Sequence, residues 1–161
     1  MTRSKKQQKK GQIDFSDSCL IMSNVIGTLV IVDSTTGRKW EISEYGKTRP
    51  MMIGDIMNIN ADQPAIFEQG WAIILDEDIV EYLGYSELYK SIIKPKDMDN
   101  FLKLPENEIK DILRNAPNGM KQTIAKVVKE KIANKDPNFD SYAKIKFFED
   151  NLKIKLTSDS A

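Results

Sequence analysis

The chain has 161 residues, 40% hydrophobic and 30% charged, with 24 cationic and 24 acidic side chains, one cysteine and no histidine. That length bounds it to one domain or two small packed lobes; without histidine the commonest general base and zinc ligand are missing. The lone Cys19 excludes an intrachain disulfide or a thiolate metal cage, and no apolar run approaches the roughly 18 residues of a membrane span.

The charge is unevenly placed. Residues 1–10, MTRSKKQQKK, carry Arg3, Lys5, Lys6, Lys9 and Lys10 and no acid. Removing those five leaves 19 cations against 24 acids, a mildly acidic body with a basic arm. No apolar segment follows this basic start, so a secretory signal is not expected. Residues 1–14 lack hydrophobic periodicity and bury too little apolar surface to offset ordering entropy, which predicts a flexible arm. Such an arm can neutralise nucleic-acid phosphates, lie along an acidic surface of a partner chain, or stay a solvated tail.

Residues 15–75 predict a β lobe. Cys19, in SCLIMSN, reads as a buried small hydrophobe rather than a reactive thiol. VIGTLVIVD is rich in β-branched residues, and RKWEISEYG alternates, with Trp40 and Ile42 on one face and Lys39 and Glu41 on the other. Asp33–Gly37 between them predicts a hairpin turn. TRPMMI is a further short strand, with Pro50 favouring an edge or a strand start. IGDIMNINADQP has helical spacing at Ile53, Ile56 and Met57 and predicts one short helix. A last strand is expected over Trp71–Leu75, giving a small, strongly curved antiparallel sheet or partial barrel. Both tryptophans are expected in the core.

From Asp76 to residue 156 the period changes to about 3.6, which predicts a helical bundle. Ile79, Val80 and Leu83 share a face, closed by Gly84. A second helix is expected from Ser86 through Ile93, stopped by Pro95, and a third after a capping Asp97. LPENEIKDILRNA places acids at its positive end and a stripe of Ile109, Ile112, Leu113 and Ala116 behind them. Pro117-Asn118-Gly119 ends it. MKQTIAKVVKEKIANK repeats the pattern, and Tyr142, Ile145, Phe148 and Leu152 mark a final helix before a fraying tail at 157–161.

Two features invite a chemical reading. Asp76, Glu77 and Asp78 are three consecutive acids, but adjacent residues on a helix diverge by about 100°, so they cannot converge on an ion. They suit a helix start instead. Arg38, Lys39, Lys47 and Arg49, with Trp40, could form a basic aromatic surface of the kind that binds single strands. The lysines at 121, 126, 129 and 131 are interrupted by Glu130 and read as a solvated face. Phosphate loops, dinucleotide fingerprints, zinc spacings and hydrolase elbows are absent from the sequence.

The succession VIGTLVIVDSTTGRKWEISEYGKTRPMMIGDI, GWAIILDEDIVEYLGYSELYK and NGMKQTIAKVVKEKI resembles small proteins encoded among the virion-structure genes of tailed bacteriophages, over about residues 25–132. The shared order is a hairpin, a Trp-Glu strand, a Tyr-Gly turn, an acidic helix start before Leu-Gly and a late lysine-bearing helix. The resemblance implies a multi-copy virion component of capsid, neck, tail or baseplate, made in the host cytoplasm and docking onto other phage structural proteins. It transfers no catalytic residue and does not extend to the arm.

The sequence therefore predicts an α+β fold: a basic arm (1–14), a β lobe (15–75), a helical lobe (76–156) and a short tail. The expected function is a non-enzymatic phage structural or assembly protein, with no cofactor, metal or membrane. The alternative is a nucleic-acid-binding regulator acting through the arm. The expected contact residues are Arg3, Lys5, Lys6, Lys9, Lys10, Arg38, Lys39, Lys47 and Arg49.

Overall fold

In β1 (Ser18–Ser23) every second side chain, at Cys19, Ile21 and Ser23, is buried. The computed structural model, which describes residues 12–156, makes β1 the centre of a three-stranded antiparallel sheet. Its neighbours are β4 (Thr48–Met52) and β5 (Ala72–Ile74). Cys19 lies opposite Met51, and Ile21 lies between Arg49 and Ile74. A separate hairpin pairs β2 (Leu29–Val32) with β3 (Lys39–Ile42). The alternation in both strands sends Leu29, Ile31, Trp40 and Ile42 inward and leaves Val30, Val32, Lys39 and Glu41 outside. At its tip, Asp33 Oδ1 accepts from the Thr35 and Thr36 amides at 2.9 and 3.4 Å, and Gly37 takes a φ of +76°.

Consecutive strands β3 and β4 do not pair, so the strands form two sheets whose inner faces share one core. Their edges are blunted by side chains. The Asp33 amide donates to the Arg38 carbonyl at 2.9 Å, which turns the peptide groups of Val32 and Glu41 away from the hairpin ladder. Gln63 Nε2 donates to the Val32 carbonyl at 2.8 Å, and Arg49 Nη1 to the Glu41 carbonyl at 3.1 Å. On β5, the Ile74 amide donates to the Tyr89 hydroxyl at 2.8 Å. Edge strand β4 carries Pro50, which has no amide to offer an incoming strand.

Helix α1 (Ile53–Asp62) follows β4 without a break and buries Ile53, Ile56 and Ile59. The apolar pair Ile66-Phe67 forms the single-turn helix α2 (Ala65–Glu68), with Phe67 fully buried. Helix α3 (Glu77–Tyr82) ends as its pattern predicts: Gly84 has a φ of +78°, and the Tyr85 amide returns to the Val80 carbonyl at 2.9 Å.

Helix α4 spans only Ser86–Tyr89, shorter than the expected run to Ile93. Tyr89 is held at β5, while Ile92 and Ile93 turn to the opposite core, so one helical face cannot serve both contacts. A 3-10 turn at Pro95–Asp97 then leads into α5 (Met98–Leu102), without a side-chain cap from Asp97.

Helices α6 (Glu106–Asn115), α7 (Asn118–Ala133) and α8 (Tyr142–Leu152) complete the helical region. Ile109, Leu113 and Ala116 are buried as expected, as are Met120, Ile124, Val127 and Val128. In α8 the expected stripe is only partly inward: Phe148 and Leu152 are buried, but Tyr142 is 77% exposed.

The buried side chains form two clusters. The first joins both sheets with α1, α2 and α3 and includes Ile79, Val80 and Tyr85. The second is built by α5 to α8, Ile92 and Ile93. Strand β5 lies between them and is buried along its length, with Ile74 in the first cluster and Ile73 in the second. The period of two explains this directly, because neighbouring residues point to opposite faces.

Candidate functional site

Of the expected contact residues, Arg3, Lys5, Lys6, Lys9 and Lys10 lie outside the described residues. Ile13, at the end of the predicted arm, packs against the first cluster. The other four are described, and each has a local acceptor. Arg38 meets Asp55 at 3.0 Å, Lys39 meets Glu41 at 2.7 Å and Lys47 approaches Glu44 at 4.0 Å. Arg49 bridges to the β3 edge. The bond from Lys39 holds the Glu41 carboxyl below its usual range.

Trp40 is 9% exposed and faces the core, which leaves these cations without the aromatic platform used for stacking on bases. Trp71 is half-buried against the same cluster. Between Arg38, Trp40, Pro50, Met52 and Asp55 runs an open groove of about 290 Å³.

The acidic triplet starts a helix. Asp76 is the N-cap of α3, and its Oδ1 accepts from the Asp78 and Ile79 amides at 3.0 and 3.4 Å. Glu77 and Asp78 follow in the first turn, where the helix dipole favours negative charge. Replacing Asp76 with alanine is expected to destabilise the fold by about 1 kcal/mol, whereas asparagine, which caps equally well, should retain most of that. Urea-unfolding midpoints of the two variants check this. Among the described residues no group of three or more cysteine, aspartate or glutamate side chains could hold a metal ion.

A second concavity, of about 400 Å³, opens where α3 and α4 meet the end of β5. Glu77 and Glu81 from α3, Ser86 and Tyr89 from α4, and Lys94 supply its polar lining. Burial pushes the Tyr89 phenol up to about 12, so it is a neutral hydroxyl at ordinary pH. Tyr45 is raised as well, by burial and then by the nearby Asp99 charge.

For a phenol the sign is that of a raised acid. The contribution of the neutral buried form is intact below pH 10 and is lost as pH climbs through about 12, because the unfolded chain ionises first. A Tyr89→Phe variant should therefore lose stability less steeply above pH 10 than the parent. At neutral pH it should be weaker by about 1 kcal/mol, since the Ile74 amide loses its acceptor. Urea melts across that pH range measure both effects.

Sequence reasoning missed the junction between the two clusters. Asn24 is fully buried; its amide donates to the Trp71 carbonyl at 2.9 Å and its side chain to the Gly70 carbonyl at 3.0 Å. Thr123 Oγ1 donates to the Asn24 carbonyl at 2.9 Å, and the Gly119 amide to Gln69 Oε1 at 2.7 Å. The glycine after Pro117-Asn118 was the one visible signal, and it reads equally well as a helix stop.

Lys131 of α7 meets Asp99 at 2.8 Å and Asp136 at 3.5 Å, while Lys126 and Lys129 are exposed. None of the helices among the described residues is long and apolar enough to cross a membrane. No protein family, curated protein or solved structure matches this chain.

Proposed function

We propose that the protein is a non-enzymatic structural or assembly component of a tailed bacteriophage, present in several copies and docked onto other virion chains. The observation that carries this reading is the order of motifs over residues 25–132, which resembles small virion-structure proteins. The surface suits docking. Phe15 and Tyr82 make an exposed edge-to-face pair at 6.3 Å, and Val30 and Val32 stand on the outer hairpin face. Exposed aromatic side chains of this kind are favoured contact anchors. The basic arm adds five cations for an acidic neighbour.

Mass spectrometry of purified phage particles and assembly intermediates tests the proposal. The chain is expected in stoichiometric amounts in at least one of them, and its absence from both would end the reading.

The five arm cations also favour a second reading, a nucleic-acid-binding regulator. It requires affinity that falls steeply with salt and falls again when residues 1–11 are deleted. A response flat in both eliminates it.

A further inference from the structure

We propose that the cavity between α3 and α4 binds a small zwitterion, its ammonium group on Glu77 and Glu81 and its carboxylate on Lys94, Ser86 and Tyr89. At about 400 Å³ the cavity falls within the range of small-molecule sites, roughly 300–1,000 Å³.

Its charges are arranged for such a ligand. Glu77 and Glu81 are four residues apart on α3 and share a face, an arrangement of like charges that weakens a helix in isolation. Among the described residues, neither forms an ion pair and neither does Lys94, although Lys39, Lys90, Lys131 and Lys146 each meet an acid within 3.1 Å. Lys94 lines the same cavity without closing on either glutamate, so opposite charges stand apart with space between them.

The hydroxyls complete the anionic end. Ser86 and Tyr89 are three residues apart in α4 and lie on one face. The Tyr89 oxygen already accepts the Ile74 amide, which fixes the position of the hydroxyl at the cavity wall. Ile74, Leu75 and Val80 give the cavity an apolar wall. The complementary ligand has an ammonium group and a carboxylate joined by an apolar spacer. A purely cationic or purely anionic molecule leaves one set of charges unmatched.

This site is independent of the assembly reading and is tested separately. The probe is ε-aminocaproate, titrated into the full chain and followed by heteronuclear NMR, with hexylamine and hexanoate as single-charge comparators. Saturable shifts are expected at the amides of residues 74–94. Binding of either comparator, and of the probe to Glu81→Gln or Lys94→Gln, should be weaker by about tenfold or more, the effect of losing one charge-assisted contact. Neither variant should melt below the parent, since neither group has an ion-pair partner among the described residues to lose and Glu81→Gln relieves the like-charge pair on α3. The proposal is overturned by shifts absent at about 10 mM probe, a weak-affinity ceiling, by shifts centred elsewhere, or by a comparator that binds as tightly as the zwitterion.

Discussion

Phe148→Ala is expected to destabilise the protein by about 3–5 kcal/mol, the range for removing a fully buried phenylalanine. Phe148 has no exposed surface and lies within the second cluster, with ring centroids 5.5 Å from Phe139 and 5.4 Å from Phe147. The loss combines transfer of the ring, the cavity left behind and two aromatic contacts worth about 0.5–1.5 kcal/mol each. A domain of this size has only about 5–15 kcal/mol in total, so the variant should sit near the edge of folding.

The reporters for this experiment lie in the other cluster, because Trp40 belongs to the first and Trp71 packs against it. Strand β5 contributes Ile73 to one cluster and Ile74 to the other, so the two are expected to unfold together. Tryptophan fluorescence and helical circular dichroism should then shift by the same amount in urea. A helical transition that moves while the tryptophan transition stays in place would show that the clusters unfold separately.

Gly119→Ala is expected to lower stability by about 2–3 kcal/mol, although alanine is the better helix former. Helix propensity alone would raise stability by about 1 kcal/mol at this position. The opposing effect is steric. A β-carbon on Gly119 would lie 2.6 Å from the Gln69 carbonyl oxygen, Gln69 Cβ and Trp71 Nε1. The carbonyl is backbone and cannot swing aside, so α7 must back away from the Gln69–Trp71 segment. That movement also strains the Gly119–Gln69 and Thr123–Asn24 hydrogen bonds. Urea unfolding measures the net change, and a variant as stable as the parent would mean that the junction is looser than its geometry states.

Much of the fold was legible because its causes are local. Alternation at Lys39–Ile42 defines β3, Asp33 and Gly37 close the hairpin, and Asp76 and Gly84 bracket α3. Each depends on residues within a few positions of one another, whose spacing is present in the sequence itself. The shortened α4 and the helical Ile66-Phe67 were not legible, since the core each side chain joins is a long-range choice. Tyr142 shows the same limit: it has the spacing of an inward residue but faces solvent, which its neighbours along the chain do not reveal.

The sequence by itself determined an α+β chain, the β2–β3 hairpin with its turn chemistry, and the capped start and glycine stop of α3. Only the tertiary structure decided how the two cores meet, where Arg38 and Arg49 find their partners, and that Glu77, Glu81 and Lys94 line one cavity. The physical reason is range. A cap or a strand face is set by neighbours along the chain, whereas the bond from Thr123 to Asn24 joins residues 99 positions apart and comes into being only when both cores have packed.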